Sequence, residues 1–153
     1  MSETTAPRRV IEALMQGISE ARWSELSELF ADDAVIDYPF ALPSPTRLAG
    51  RPAIERYFAS AAQVPLRLKA RDFVVHETTD PEVVVAEWDY EGTVTTTGRT
   101  FEVSNITVSR VRGGKIVASR DYHNHAILAG VTGRLAAAVA SLTQSLPSQP
   151  TSE

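Results

Sequence analysis

Apolar positions in the first part of the chain recur at helical spacing. Val10, Ile11, Leu14, Met15 and Ile18 share one face of a 3.6-residue repeat, and Trp23, Leu26, Leu29 and Phe30 resume it after a short break. The pattern predicts two amphipathic helices. The interruption at Ala31-Asp32-Asp33 leads into Ala34-Val35-Ile36-Asp37-Tyr38, a brief strand stopped by Pro39, and Pro43, Ser44 and Pro45 mark a loop. A third helix begins at Pro52, where the missing N–H costs little, with Ile54, Tyr57, Phe58 and Ala61 on one face.

From Leu66 the period changes from 3.6 to 2. Segments at about 66–77, 82–95, 100–111 and 115–123 are rich in Val, Thr, Ile and Phe and are separated by Asp80-Pro81, Gly98 and Gly113-Gly114. Connections this short predict an antiparallel meander, since parallel neighbours need crossovers of about a dozen residues or more. Leu135, Val139, Leu142 and Leu146 predict a last helix. Residues 1–146 then read as a single domain and 147–153 as a disordered tail. Helices followed by a curved antiparallel sheet make an α+β fold, and a bent sheet with helices on its concave side encloses a pocket for a small molecule.

Composition narrows the chemistry. The 153 residues include no cysteine, which excludes disulfides, thiolate nucleophiles and Cys-built zinc or iron–sulfur sites. A net charge of -4 argues against a phosphate backbone as partner. No apolar segment follows the polar stretch Met1 to Arg9, and none elsewhere reaches the roughly 20 residues of a membrane span. The expectation is a cytoplasmic protein with neither nucleic acid nor membrane as partner.

Specific residues then carry a resemblance. Phe30-Ala31-Asp32-Asp33-Ala34 to Pro39, Gly50-Arg51-Pro52-Ala53-Ile54, the Gly114-Lys115-Ile116 turn and Arg120-Asp121-Tyr122 together resemble the nuclear transport factor 2-like superfamily, in particular its SnoaL-like branch, over about residues 8 to 130. That superfamily includes ketosteroid isomerases, limonene epoxide hydrolases, polyketide cyclases and the phenazine biosynthesis A/B proteins, and the resemblance implies a cone-shaped α+β fold with an internal pocket. The local likeness is strongest to the phenazine proteins, through Glu77-Thr78-Thr79-Asp80-Pro81, Glu87, Asp89 and Arg120-Asp121-Tyr122-His123-Asn124. One fold hosts many chemistries, so function rests on individual positions.

The ketosteroid isomerase positions are lost: the shuttling Asp falls at Tyr38, and the oxyanion Tyr and Asp fall at Leu14 and near Thr107. In the epoxide hydrolase comparison Trp88 and Tyr90 take the mid-strand Arg and Asp places, and only Asp121 survives. Asp121 also corresponds to the acid/base position of the phenazine proteins. Alternation puts Val84, Ala86, Trp88 and Tyr90 on an apolar inward face and Glu87, Asp89 and Glu91 on an outward acidic one.

Two roles are open to Asp121: a carboxylate paired with an arginine or capping a turn, or an acid/base group facing an apolar pocket. His123, two residues on, reaches the same ligand or is a satisfied strand-end histidine. Asn105, Thr107 and Ser109 share a face with Phe101, Val103 and Val111, which predicts a polar patch inside the pocket. The catalytic candidates are Asp121, His123 and Tyr38, and the substrate-binding candidates Trp88, Tyr90, Asn105, Thr107 and Ser119. Asp121, His123 and His125 also spell Asp-x-His-x-His, but the outer pair lie about 13 Å apart on an extended strand, so no metal is expected. The resulting expectation is cofactor-independent acid–base chemistry on a small, apolar, oxygenated metabolite. Epoxide opening and a non-catalytic binding protein are the alternatives. Ile106 and Val108 with Tyr122 and Ala118 predict an apolar convex face that a second copy would bury, with Arg110 or Arg120 pairing there against Glu87 and Asp89.

Overall fold

Proline in the first turn opens both helices that pack beneath the sheet. In the computed structural model, which describes residues 6–147, α1 spans Pro7–Ser19 and α2 spans Arg51–Ala61. They bury Val10, Ile11 and Met15 from α1, and Ile54 and Phe58 from α2. Between them Trp23–Leu29 is a 3-10 helix, not the α-helix that the spacing predicts. Ala21 holds a left-handed φ of 56° just before it and extended backbone starts at Phe30, so too few residues remain for a stable α-helix. The apolar face is nevertheless used: Leu26 packs against Gly17, where a Cβ would collide with it.

Six strands follow, β1 (Phe30–Tyr38), β2 (Thr46–Ala49), β3 (Leu66–Glu77), β4 (Val83–Val94), β5 (Thr100–Arg112) and β6 (Lys115–His123), in the order β2-β1-β6-β5-β4-β3. β3 to β6 form the antiparallel meander that their short connections predict. β1 instead lies parallel to β6, so the sheet is mixed at that seam and the intervening chain serves as its crossover. β1 also starts earlier than its alternation suggests, at Phe30, because the pairing with β6 shifts between Phe30 and Val35 and lets Asp32 and Asp33 face solvent. The four-residue β2, largely exposed, carries too little periodicity to be seen in sequence.

The sheet bends where its ladders are interrupted. The β3–β4 register shifts between Arg71 and Val74, with Asp72 at a left-handed φ of 54°, a conformation that aspartate tolerates better than most residues. Such a bulge increases local twist and curls the strand over the helices. Phe30, Ile36 and Ile116 from the sheet meet Ile11 and Ile54 from α1 and α2 with almost no exposure. Each such side chain contributes roughly 1.5–3 kcal/mol by leaving water.

After β6 the chain turns at Asn124, whose side chain accepts a hydrogen bond from Ile127 N, into α3 (His125–Val131). This helix is absent from the sequence reading, which ends the last strand at residue 123 as the structure does and treats His125 as extended only in the metal-spacing argument. Gly133, at φ 73°, separates it from the expected last helix, α4 (Leu135–Ser145). Apart from Pro147, the predicted disordered tail lies outside the described residues.

Arg110 and Arg112 have acidic partners within the chain. Arg110 reaches Glu82 at 2.9 Å and Asp80 at 3.0 Å, and Arg112 reaches Glu82 at 2.7 Å. Both guanidinium groups precede any intermolecular pairing because the Asp80-Pro81-Glu82 turn brings carboxylates beside β5. Arg112 first, then Arg110, holds the Glu82 carboxyl down at about 2, from an ordinary value of 4.5. Its folded value lies below its unfolded one, so its contribution is complete above pH 4.5 and lost as pH falls toward 2. Thermal melts of Glu82→Gln across that window should show a shallower pH dependence than the wild type; equal slopes would remove Glu82 from the acid response.

Candidate active site

The pairing of β5 with β6 sets Asn105 opposite His123, Thr107 opposite Asp121 and Ser109 opposite Ser119. Because strand side chains alternate, all three pairs point to the same concave side, where Asn105, Thr107, Ser109 and Ser119 are buried. A row of polar contacts results, hydrogen-bonded on either side of a longer Asp121–His123 contact. Ser109 Oγ and Ser119 Oγ lie 3.1 Å apart, and Ser119 Oγ donates to Asp121 Oδ1 at 2.5 Å. Asp121 Oδ2 then lies 3.7 Å from His123 Nε2, and His123 Nδ1 lies 2.7 Å from Asn105 Oδ1. Asn105 Nδ2 donates to Val103 O at 2.9 Å.

This row fixes a tautomer. With its amide nitrogen committed to Val103, Asn105 presents an oxygen, so His123 Nδ1 must carry a proton. A neutral His123 then turns a lone pair from Nε2 toward Asp121, and the contact is favourable only when one proton resides on either partner. Asp121 has no arginine partner among the described residues. Both side chains are about 15% exposed.

A cavity of about 190 Å³ lies against this row. Its walls are apolar on the helical side, from Leu14, Met15, Trp23 and Phe58, and Asp121 is its one lining carboxylate. Tyr38, Tyr57 and Tyr90 add three phenols. Burial pushes all three up from their ordinary value, with the Asp121 charge acting in the same direction. They therefore stay protonated at neutral pH and remain donors. Tyr38 and Tyr57 stack at 5.4 Å, and contact with the Tyr38 hydroxyl moderates the rise at Tyr57. Tyr57 is 40% exposed, yet it lines the cavity and an adjoining outer chamber, so that exposed surface includes space inside the molecule. Tyr90 donates to Met15 Sδ at 3.8 Å, while the buried Trp88 N–H makes no hydrogen bond of normal geometry and only tempers the rise at Tyr90.

Of the residues singled out in sequence, Asp121, His123, Tyr38, Trp88, Tyr90, Asn105 and Thr107 meet at this cavity. Ser119 does not line it; it sits buried behind Asp121 and holds that carboxylate from below. The outward acidic face of β4 stands where alternation puts it, with Glu87 bonded to His76 at 2.6 Å and Asp89 accepting from Ser104 at 2.6 Å. His125 is not on the strand at all. Its ring packs on Tyr38 at 6.0 Å and on His123 at 5.8 Å. Burial, then His123, lowers its proton affinity and keeps it neutral near pH 7. No three His, Asp or Glu side chains among the described residues gather as metal ligands. Tyr57 and Arg134 are the lining residues that sequence reasoning missed. Tyr57 was visible on the apolar face of α2, but Arg134 follows a helix that the sequence did not reveal.

Residues 11–119 match the model of the SnoaL-like domain. The chain belongs to that family. This SnoaL-like protein is 30% identical over 128 residues to YesE, an uncharacterized protein of Bacillus subtilis, covering 81% of this chain and 85% of that one. It is 33% identical over 100 residues to an uncharacterized PhzA/B-like protein of Pseudomonas aeruginosa, covering 63% and 69%. Among solved structures it resembles a proposed isomerase from Bacillus subtilis, with TM-score 0.78, 29% identity and coverage of 88% and 97%. A proposed polyketide cyclase from Xanthomonas campestris shares the fold at TM-score 0.68 and 21% identity, covering 84% and 96%. No helix among the described residues is long and apolar enough to cross a membrane.

The SnoaL-like site makes a spectroscopic prediction. Nitrogen-15 NMR of the labelled protein should show His123 with Nδ1 protonated in both its neutral and its charged form. A neutral ring protonated at Nε2 alone would contradict the hydrogen-bonded row, and Asn105→Leu should abolish the preference.

Proposed function

We propose that this protein is a cytoplasmic SnoaL-like enzyme of the cyclase or isomerase type. Residues 1–146 act as one unit, moving protons without a cofactor on a small, apolar, oxygenated metabolite. One observation carries the reading: the one carboxylate that the described residues bring to a cavity with apolar walls and three phenols lies beside a histidine whose other nitrogen is already committed. The cyclase and isomerase names of its structural relatives support the same class.

The chemistry follows from the geometry. Asp121 removes a proton from a carbon beside a carbonyl, and the electron pair shifts to the carbonyl oxygen. Tyr38 and Tyr57, still protonated, donate to that oxygen as charge develops on it. In an isomerisation Asp121 returns the proton to a different carbon. In a ring closure the enolate carbon attacks a second carbonyl carbon, and His123 protonates the new alkoxide. The proton then passes from Asp121 back to His123, restoring both groups. Trp88, Tyr90, Asn105 and Thr107 shape and orient the substrate, and Ser119 positions Asp121. Epoxide opening has less support, because Trp88 and Tyr90 occupy the mid-strand places and no arginine stands there.

Hydrogen–deuterium exchange at the carbon beside the carbonyl of 2-tetralone, followed by NMR, tests the reading without knowledge of the natural substrate. The wild type should accelerate exchange, and Asp121→Asn should lower the rate by about a hundredfold or more with an unchanged melting temperature. Binding of 2-tetralone with exchange at the buffer rate would instead make the cavity a non-catalytic binding site.

The protein is further proposed to work as a homodimer through its convex face. Val74, Ile106 and Phe40 are 49%, 40% and 64% exposed there, and Tyr122 stacks on Phe40 at 5.2 Å. An apolar face of this kind is commonly buried by a self-complementary contact. Light scattering should give twice 16.7 kDa, and Ile106→Lys should halve it; a wild-type mass of 16.7 kDa would reject the dimer.

A further inference from the structure

The cavity beside Asp121 opens onto an outer chamber of about 480 Å³, bounded by the β1–β2 loop, α3 and α4. Five residues line both spaces: Tyr38, Tyr57, His123, Leu128 and Arg134. The outer chamber is one-sided in its chemistry. It offers the Arg134 guanidinium, the His125 imidazole and hydroxyls from Tyr38, Tyr57, Thr46 and Ser141, and no Asp or Glu lines it.

Arg134 is the informative group. It occupies the position just before α4, and its Nε donates to Thr132 Oγ1 at 3.2 Å. Among the described residues no carboxylate pairs with Arg134, nor with Arg56, Arg67, Arg99 or Arg120, and of these five Arg134 alone lines the cavity and the outer chamber. The Thr132 contact engages Nε and leaves the two terminal nitrogens without a hydrogen-bond partner among the described residues. Its charge is felt inside, since it opposes the rise at Tyr57. His125 adds a second polar group, for its Nε2 is buried without a hydrogen-bond partner.

We propose that the outer chamber is an anion subsite, in which Arg134 holds the carboxylate of a substrate whose neutral, carbonyl-bearing end reaches Asp121. A planar guanidinium matches a carboxylate through two parallel N–H bonds, and the absence of lining acids removes repulsion at that end. Asp121 would repel the same carboxylate at the other end, so charge alone fixes which end enters first. The substrate class is therefore an amphipathic keto acid. This inference rests on Asp121 marking the reacting end, which the exchange experiment addresses separately.

The test uses the quenching of Trp23 and Trp88, both in the inner wall, by 4-phenylbutyrate and by its neutral amide. The wild type should bind the acid about tenfold or more tightly than the amide, in line with the strength of charge-assisted hydrogen bonds. Arg134→Gln should remove that preference and Arg134→Lys should keep most of it. Asp121→Asn should retain the preference, so loss of exchange activity in that variant leaves the anion subsite standing. Equal affinity for acid and amide in the wild type, a preference that survives in Arg134→Gln, or failure of both ligands to bind would overturn the proposal.

Discussion

The register of β5 against β6 is the constraint on which this molecule depends. With Thr107 opposite Asp121, one parity of both strands turns inward, and it is the parity that carries the polar residues. A slip of β6 by one residue would send Asp121 and His123 to the convex face and drive Tyr122 into the interior. The buried hydroxyls and amide are costly there unless each is satisfied. The row from Ser109 to Val103 O satisfies the critical ones and sets Asp121 beside His123. The same hydrogen bonds that make a polar seam tolerable inside a core thus set the orientation of Asp121 and His123.

Much of this was legible in sequence because a period of two is hard to disguise in long strands. The four strands from Leu66 onward, their order and the inward face of Trp88 and Tyr90 all follow from alternation and short turns. Asp121 and His123 came from a family resemblance and from parity together. What could not be read has a common physical origin, tertiary context. The 3-10 geometry of Trp23–Leu29 depends on constraints at its ends, and the parallel seam between β1 and β6 joins segments far apart in the chain. The turn at Asn124 defeated extrapolation of the strand pattern, and with it the placement of His125 and Arg134. Ser119 was assigned to the right face but the wrong layer, since parity does not distinguish a side chain that lines a cavity from one that lies behind it.

The cavity separates two electrostatic tasks along its length. At the inner end a carboxylate and three desolvated phenols make a place where negative charge can develop on a ligand oxygen. At the outer end imidazole and guanidinium face space free of acids. Tyr38 and Tyr57 stand at the join, stacked on one another and touching both spaces. The Tyr38 ring also packs on His123 at 5.9 Å and on His125 at 6.0 Å.

The sharp turn after His123 divides the chain into two functional lengths. The match to the family model ends at residue 119, and α3 and α4 cover the outer chamber without adding a strand to the sheet. A relative could exchange α3 and α4 for another cover while keeping its strands, its seam and its proton-bearing pair. Recognition and reaction can therefore diversify at different rates along one gene, the first by replacing a terminal cassette and the second by altering single positions on β6.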